Sequence, residues 1–308
     1  MTLQQLEYVV ALDKHRHFVR GAESCGVTQS TLSSMIQKLE QELDVKLFDR
    51  NTHPVTPTLW GEQIIAQAKV ILFNSSQLKE IILAVKEQAS GEVRLGIIPT
   101  VAPYIVPLLI KNIQNNYPKV VLKISEARTS EIVRHIEKAE LDMALLATPL
   151  NNIHILEIPL YYEKFLAYVS PVDKLHKLNS IETHQLPSDH LWVLQEGHCL
   201  RNQVLNICES QSVFSSIYQA GSIDTLVKIV DENGGYTIIH ELHTALLNES
   251  ARKNVRPLVN PEPFREISLI IRHDYVRERL LNIVSDCLRQ IIPENMIDTR
   301  LKRFAIKL

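Results

Sequence analysis

The chain has 308 residues, of which 45% are hydrophobic and 22% charged, and its formal net charge is -2. This length suffices for two or three units that each bury a core, and the composition is that of an ordinary globular protein. No stretch approaches about 20 uninterrupted apolar residues, and no basic start precedes an apolar run, so we expect a cytoplasmic protein without a secretory signal or membrane span. The balanced charge does not by itself indicate a nucleic-acid partner.

The cysteines and histidines show no metal-site pattern. Four cysteines (Cys25, Cys199, Cys208 and Cys287) are too few and too unevenly spaced for a secreted disulfide framework, and each is by default a small buried hydrophobe. The histidines lack metal-ligand spacing, so we expect surface or capping roles for His15, His17, His184, His190, His240 and His243. We therefore predict neither a metal nor another cofactor.

Residues 1–58 contain three short helical patterns. A first helix ends before residues 15–17, a second lies around Arg20–Cys25, and a third follows the break at Gly26 with Thr28 as its cap. The third helix presents an outward face of mostly small polar side chains: Gln29, Ser30, Thr31, Ser33, Ser34, Gln37 and Lys38. This arrangement is typical of a helix-turn-helix whose second helix enters the major groove, and a small helical bundle with a polar face is the alternative.

The segment "FDRNTHPVTPTLWG" is typical of a turn or hairpin in which Arg50 reaches a phosphate. With "FVRGAESCGVTQSTLSSMIQKLEQELDVKLFDR", it resembles the winged helix-turn-helix of LysR-type transcriptional regulators, through I-x-x-L-E, L-F-x-R and T-x-x-G. The resemblance implies that Thr28, the polar face of the third helix and Arg50 bind operator DNA. Gly21, Ser30 and Pro57 depart from the family pattern, and Pro57 bears on the shape of the wing.

Residues 59–89 predict a long helix. The residues Ile64, Ala68, Ile71, Ser75, Leu78, Ile82 and Val85 follow a 4,3 spacing, which is a heptad seam. Such a seam indicates pairing with a second copy, and the alternative is a core helix of one domain. The LysR resemblance likewise implies a linker helix that dimerises two DNA readers.

After the break "QASGEV", strand-like runs alternate with helical patterns, which favours α/β units with mostly parallel sheets. In LysR-type regulators this region is a two-lobed domain similar to periplasmic solute-binding proteins. The resemblance implies a regulatory domain over 92–300, with lobe I at 92–162 and 269–300 and lobe II at 163–268. The predicted fold is thus α/β, with an N-terminal winged helix-turn-helix and a dimerising linker helix. Cys287 lies on an apolar helical stripe and is expected in the core.

The segment "EGHCLRNQVLNICES" contains two cysteines nine residues apart. Helical spacing places Cys199 in the first turn of a helix, where free N–H groups, with His198 and Arg201, favour a thiolate. From spacing alone, two unrelated buried thiols remain an alternative. The segment is similar to the redox segment of OxyR-type regulators, the peroxide-sensing branch of the LysR family. That resemblance implies that Cys199 reacts with hydrogen peroxide and that Cys208 then forms a disulfide with it.

The same resemblance extends to "GIIPTVAPYIVPLL", "SEARTSE" and "PEPFREISLIIR". It implies a peroxide pocket formed by Thr100, Thr129, His198 and Arg265. On one continuous helix the two thiols would be about 13.5 Å apart, whereas a disulfide needs Cα atoms within about 4.4–6.8 Å, so oxidation requires the segment to refold. Asn202 stands where aspartate is common, which favours the thiolate, and His240 replaces a proline.

We therefore predict a homodimeric or homotetrameric transcription activator, not an enzyme, that senses hydrogen peroxide and controls oxidative-stress genes. Its expected partners are double-stranded operator DNA, RNA polymerase and a glutaredoxin- or thioredoxin-type reductant, with no membrane. One alternative is a LysR-type regulator that binds a small metabolite between the lobes. A second is a thiol peroxidase, against which the DNA reader argues.

Overall fold

The computed structural model describes residues 1–85, 90–187, 190–195, 203–204, 220–275 and 277–297. The chain forms two compact units, one consisting mainly of Met1–Gln88 and the other of Ala89–Glu137 and Leu141–Leu308. Within the described ranges, no helix combines the length and apolarity that crossing a membrane requires.

The first unit is a winged helix-turn-helix, as predicted. Its elements are α1 (Leu3–His15), α2 (Phe18–Ser24), α3 (Gln29–Leu43), β1 (Phe48–Asp49), β2 (Thr56–Pro57) and α4 (Leu59–Val85). The Thr28 hydroxyl accepts a hydrogen bond of 3.2 Å from the Thr31 amide, which is the predicted cap of α3. Gly26 has φ +67° in the turn before α3, a conformation that other residues rarely adopt.

The wing is a two-stranded antiparallel ribbon in which Phe48 lies opposite Pro57. Proline cannot donate to a ladder, and a two-stranded ribbon tolerates it because each strand has an unpaired edge. The Thr58 hydroxyl accepts from the Gly61 amide at 3.0 Å and donates to the Lys46 carbonyl at 2.6 Å. A Cβ at Gly61 would overlap the Leu47 carbonyl, which gives the T-x-x-G motif its physical reason.

The first half of α4 packs against α1 within the same chain. Ile65 and Ala68 are buried in the core that α1, α3 and β1 supply, and Ile64 and Ile71 pack against it from the side. Three seam residues, Ile64, Ala68 and Ile71, therefore pack inside the chain, and of these Ala68 is fully buried. Pairing of the helix with a second copy stays a prediction.

The second unit is built on a nine-stranded mixed sheet. Its strands are β3 (Gly91–Ile97), β4 (Val120–Glu126), β5 (Met143–Thr148), β6 (Ile155–Val169), β7 (Ile181–Glu182), β8 (Leu191–Trp192), β9 (Tyr236–His240), β10 (Val255–Val259) and β11 (Phe264–Arg272). The helices are α5 (Ala102–Asn116), α6 (Thr129–Glu137), α7 (Ile223–Asn233), α8 (Glu249–Arg252) and α9 (Glu278–Ile291). The strand order is β4-β3-β5-β11-β6-β10-β7, with β9 on β6 and β8 on β9.

The expectation of mostly parallel sheets is wrong. The strand β3 is parallel to β4 and β5, but β11 is antiparallel to β5 and β6, and β6 is antiparallel to β9 and β10. Strands buried on both faces show the same apolar runs in either direction, so the sequence pattern does not reveal strand direction.

The predicted burial of Cys287 is confirmed. Its side chain lies on α9 and is 1% exposed, and burial raises the pKa of its thiol. A second thiol, Cys25, is half-buried and packs at the edge of the helix-turn-helix core.

Candidate functional site

The polar face of α3 is displayed as the sequence predicts. Seven of the eight residues from Thr28 to Lys38 proposed to bind DNA are exposed, and Ser33 is half-buried. The hydroxyls of Thr28, Thr31 and Ser34 bond within the helix, whereas the side chains of Gln29, Gln37 and Lys38 make no hydrogen bond or ion pair among the described residues. These three side chains are therefore free to reach a partner.

Arg50 is held in place by α3. Its guanidinium donates to Glu40 at 3.0 Å and to the Ser33 hydroxyl at 3.3 Å, and it lies 5.4 Å from the centre of the Phe18 ring. Glu40 is buried and also accepts from the amide of Leu47 at 2.8 Å. This carboxylate therefore holds the wing against α3. Sequence reasoning missed its role, although it is the glutamate of the I-x-x-L-E motif.

A buried ion pair lies where β6 and β11 run side by side. Arg265 and Glu163 are direct partners in the antiparallel register, and both are fully buried. The Arg265 Nε donates to Glu163 Oε1 at 2.6 Å, and its Nη2 contacts the same oxygen. Burial raises the pKa of the Glu163 carboxyl above its usual value, while the Arg265 charge and hydrogen bond hold it down.

Thr100 and Tyr104 complete this cluster. The Arg265 Nη1 donates to the Thr100 hydroxyl at 3.0 Å, and Nη2 donates to the Thr100 carbonyl at 3.2 Å and to the Tyr104 hydroxyl at 2.9 Å. The Tyr104 hydroxyl in turn donates to Glu163 at 2.9 Å. Since the Thr100 oxygen accepts from the guanidinium, its own proton is left to donate, and it meets no acceptor among the described residues.

Thr129 lies at the same edge of the sheet as Thr100. In the parallel pair of β3 and β4, Ile97 lies opposite Glu126. Thr100 lies three residues after Ile97, and Thr129 lies three residues after Glu126. The Thr129 hydroxyl oxygen is buried and has no hydrogen-bond partner in the described parts of the chain. Both side-chain amide atoms of Gln203 are likewise buried without a partner among those residues. Burying a polar atom without a hydrogen-bond partner costs free energy. The Thr129 hydroxyl and the Gln203 amide therefore indicate a site for a polar ligand.

His240 and His243 are buried, so the surface or capping roles expected for them are wrong. His240 ends β9, a strand buried between β6 and β8, and neither of its ring nitrogens has a partner in the described residues. Burial, with the charge of Arg265, lowers the pKa of His240 well below its usual value. Burial also lowers the pKa of His243, whose Nε2 lies 3.6 Å from Asp224.

The remaining predicted site residues, Cys199, Cys208 and His198, lie outside the described residues, as does Asn202. Their roles stay predictions. Glu163 and Tyr104 were not predicted at all. The sequence does contain a signal for Glu163. The apolar strands "YYEKFLAYV" and "FREISLIIR" each contain an acidic residue next to a basic one.

Comparison with known families decides the class of protein. The family model described as "LysR substrate binding domain" matches residues 86–292, and the one described as "Bacterial regulatory helix-turn-helix protein, lysR family" matches residues 3–62. The chain belongs to the LysR family. It is therefore a DNA-binding transcriptional regulator.

Several LysR-family relatives match over nearly their whole length. The "Hydrogen peroxide-inducible genes activator" of Haemophilus influenzae is 36% identical over 301 residues, which cover 95% of this chain and 99% of the relative. Full-length OxyR of Pseudomonas aeruginosa, with a cysteine-to-aspartate change, has a TM-score of 0.81 at 32% identity and covers 94% of this chain and 98% of its own. An H2O2-bound OxyR mutant of Corynebacterium glutamicum has a TM-score of 0.61 at 26% identity, with 94% of each chain covered.

Proposed function

We propose that this LysR-family regulator senses hydrogen peroxide through Cys199 and Cys208 and thereby controls oxidative-stress genes. The buried bond between Arg265 and the Thr100 hydroxyl is the observation that carries the proposal. It fixes a proton donor at the sheet edge that also holds the unsatisfied Thr129 hydroxyl. The names of the relatives support the same chemistry, since one is an activator of peroxide-inducible genes and one was solved with H2O2 bound.

The donors at this edge suit a peroxide. A peroxide oxygen accepts hydrogen bonds, and the Thr100 and Thr129 hydroxyls are small donors that hold it without reacting. Arg265 acts on Thr100 by donating to one lone pair of its hydroxyl oxygen, which turns the hydroxyl proton away from the guanidinium. The positive charge of the guanidinium also favours negative charge that develops nearby, although Glu163 offsets much of it.

The reaction with hydrogen peroxide has two steps. The Cys199 thiolate attacks one peroxide oxygen, so an S–O bond forms, the O–O bond breaks and hydroxide leaves and takes up a proton as water. The sulfur becomes a sulfenic acid. The Cys208 thiolate then attacks that sulfur, the S–S bond forms, the S–O bond breaks, and the hydroxide that leaves takes up a proton as a second water. An external dithiol of the glutaredoxin or thioredoxin type reverses the change.

Oxidation of the two cysteines changes DNA binding by changing the conformation of the regulatory domain. Bonding Cys199 to Cys208 rearranges the segment between them, which changes the regulatory domain (92–300, with lobe II at 163–268) and the contacts between copies. In a homodimer or homotetramer paired through residues 59–89, this alters the spacing of the DNA readers (1–58) and the contact with RNA polymerase. The site of action is the cytoplasm, where the DNA is.

A footprint of the protein on its operator tests the proposal. Reduced and peroxide-treated protein should protect different lengths of operator, and Cys199→Ser and Cys208→Ser should show only the reduced footprint. Cys25→Ala is a matched control, because this half-buried thiol lies in the other unit, and it should respond as the wild type does. A wild-type footprint that peroxide leaves unchanged, or a Cys199→Ser variant that still responds, contradicts the proposal and favours a metabolite effector.

A further inference from the structure

A cavity of about 710 Å³ opens at one end of the strands β6, β8 and β9 in the second unit. Val169 at the end of β6 lies opposite Tyr236 at the start of β9, and Tyr236 lies opposite Leu191 of β8. The loops next to these residues therefore converge and form the lining. The volume is within the range of about 300–1,000 Å³ that small-molecule sites have. None of the described residues that line it belongs to the Arg265 cluster.

The walls of the cavity are largely apolar. The indole of Trp192 is fixed by a hydrogen bond of 2.9 Å from its Nε1 to the Gly234 carbonyl, and Trp192 and Leu175 both pack against the buried core of this unit. Val172, also in the lining, is 85% exposed. An apolar guest that covers this isopropyl group and the indole gains the free energy of removing both from water.

Two glycines leave one side of the cavity without side chains. Gly234 and Gly235 have φ of +81° and +78°, a conformation that other residues rarely adopt. A Cβ at Gly235 would lie 2.4 Å from the His190 carbonyl oxygen, and one at Gly234 would lie 3.5 Å from Val172 Cγ2. The close approach of the turn before β9 to the chain entering β8 therefore requires glycine, and the cavity stays open in front of this turn.

The charge that the cavity presents to a guest is positive. Asp173 is the one acidic residue among the described residues of the lining, and its side chain is 7% exposed. Its Oδ1 accepts from the Leu175 amide at 2.9 Å, and its Oδ2 lies 3.3 Å from His190 Nδ1. Lys174 is exposed, and its amine makes no hydrogen bond or ion pair in the part of the chain that the structure describes. Within that part, the cavity offers a free ammonium group and no free carboxylate.

We propose that this cavity binds a small organic anion, in which a carboxylate pairs with Lys174 and an aromatic or branched apolar body packs against Trp192 and Val172. A cation would meet the Lys174 charge without a free carboxylate to offset it. A purely polar anion such as phosphate would leave the indole and the isopropyl group in water. No cysteine is among the described residues of the lining, so this anion is an input separate from peroxide and does not depend on the proposed function.

Fluorescence of Trp192 tests the proposal, because the chain has two tryptophans and the other, Trp60, lies in the first unit. Reduced full-length Trp60→Phe should show a saturable change of emission with phenylacetate below about 10 mM, the range expected for a fragment-sized ligand. Phenylacetamide, which lacks the charge, and acetate, which lacks the ring, should each bind at least about fivefold more weakly. Trp192→Phe, which keeps Trp60, should show no change.

Three further variants, each made in Trp60→Phe, locate the anion. Lys174→Gln should weaken phenylacetate binding about fivefold and leave phenylacetamide binding unchanged. Lys177→Gln is the matched control, because Lys177 is exposed on the same 3-10 helix (Lys174–Lys177) but does not line the cavity, and it should bind as its parent does. Val172→Asp removes the isopropyl group and adds a like charge at an exposed position, so it should weaken phenylacetate binding about tenfold or more while the fold is kept.

The anion site is wrong if phenylacetamide binds as tightly as phenylacetate, or if Lys174→Gln keeps the affinity of its parent. Emission that stays constant up to about 10 mM phenylacetate contradicts it as well. Cys199→Ser in the same background should bind phenylacetate as its parent does. Failure of the peroxide response would therefore leave this site intact, and failure of the anion site would leave the peroxide response intact.

Discussion

The guanidinium of Arg265 donates a hydrogen bond of 3.0 Å to the hydroxyl of Thr100, although 165 positions separate the two residues. The bond joins β11 to the loop that follows β3. Glu163 and Tyr104 hold the guanidinium from the other side. The orientation of the Thr100 hydroxyl is therefore set by a buried hydrogen-bond network.

Breaking the buried ion pair should destabilise the protein. Arg265→Leu leaves the Glu163 carboxylate buried without its counterion, which should lower the free energy of unfolding by about 3–5 kcal/mol. The double variant Arg265→Leu/Glu163→Leu removes both charges and should recover most of that loss. Urea unfolding of the three proteins measures this. If the double variant is as unstable as Arg265→Leu, the charge pair is not what the single change disturbs.

The Thr100 hydroxyl should speed the reaction of the protein with peroxide. Thr100→Val removes one fixed donor with little change of volume, and the rate constant for thiol loss should fall by about 10²-fold. Thr100→Ser retains the hydroxyl and should react within a few-fold of the wild type. Stopped-flow thiol titration with excess hydrogen peroxide measures both rates. Equal rates in the valine and serine variants would remove Thr100 from the site.

His240 should make the folded protein sensitive to acid. Burial and the charge of Arg265 hold the pKa of its imidazole well below the usual value of 6.5, so below about pH 6.5 the unfolded chain binds a proton that the folded chain does not. The free energy of unfolding should fall by up to about 1.4 kcal/mol per pH unit through this group as the pH drops from about 6.5. Above about pH 6.5 neither the folded nor the unfolded chain binds this proton, so the loss of stability is absent.

Replacement of His240 tests this linkage. His240→Leu should flatten the dependence of the unfolding free energy on pH between about pH 6.5 and 5, and His184→Asn, at an exposed position, should not. Denaturant unfolding at several pH values gives the slopes. Identical slopes for wild type and His240→Leu would mean that the imidazole is accessible to protons in the folded state.

Substitutions of Gln29 and Ser33 should affect DNA binding differently. Gln29 has a free side chain, so Gln29→Ala should cost about 1–3 kcal/mol of discrimination between operator and altered sites. The Ser33 hydroxyl accepts from Arg50 at 3.3 Å, so Ser33→Ala should also weaken binding to unrelated DNA by loosening Arg50. Competition binding separates the two effects. Unchanged selectivity in Gln29→Ala would mean that another face of α3 reads the DNA.

Local signals in the sequence predicted the local structure well. The Thr28 cap, the exposed face of α3 and the burial of Cys287 each depend on residues within one or two helical turns. The T-x-x-G motif also has a local cause, since Gly61 must lie against the Leu47 carbonyl.

Features that depend on strand register were not predictable in this way. Glu163 faces Arg265 because β6 and β11 pair antiparallel across 102 positions, and no periodicity in either strand reveals that alignment. The burial of His240 likewise follows from β9 lying between β6 and β8. The local sequence around a histidine at the end of a short strand does not indicate whether a neighbouring strand will bury it.

We propose that peroxide joins Cys199 to Cys208 within one chain. Mass spectrometry of the reduced protein after a brief pulse of micromolar hydrogen peroxide, with free thiols alkylated at once, tests it most directly. We expect a cross-linked pair of peptides containing Cys199 and Cys208, two hydrogen atoms lighter than the separate peptides, while Cys25 and Cys287 remain unoxidised thiols. Recovery of both Cys199 and Cys208 in alkylated form, or of Cys199 oxidised with Cys208 untouched, would contradict it.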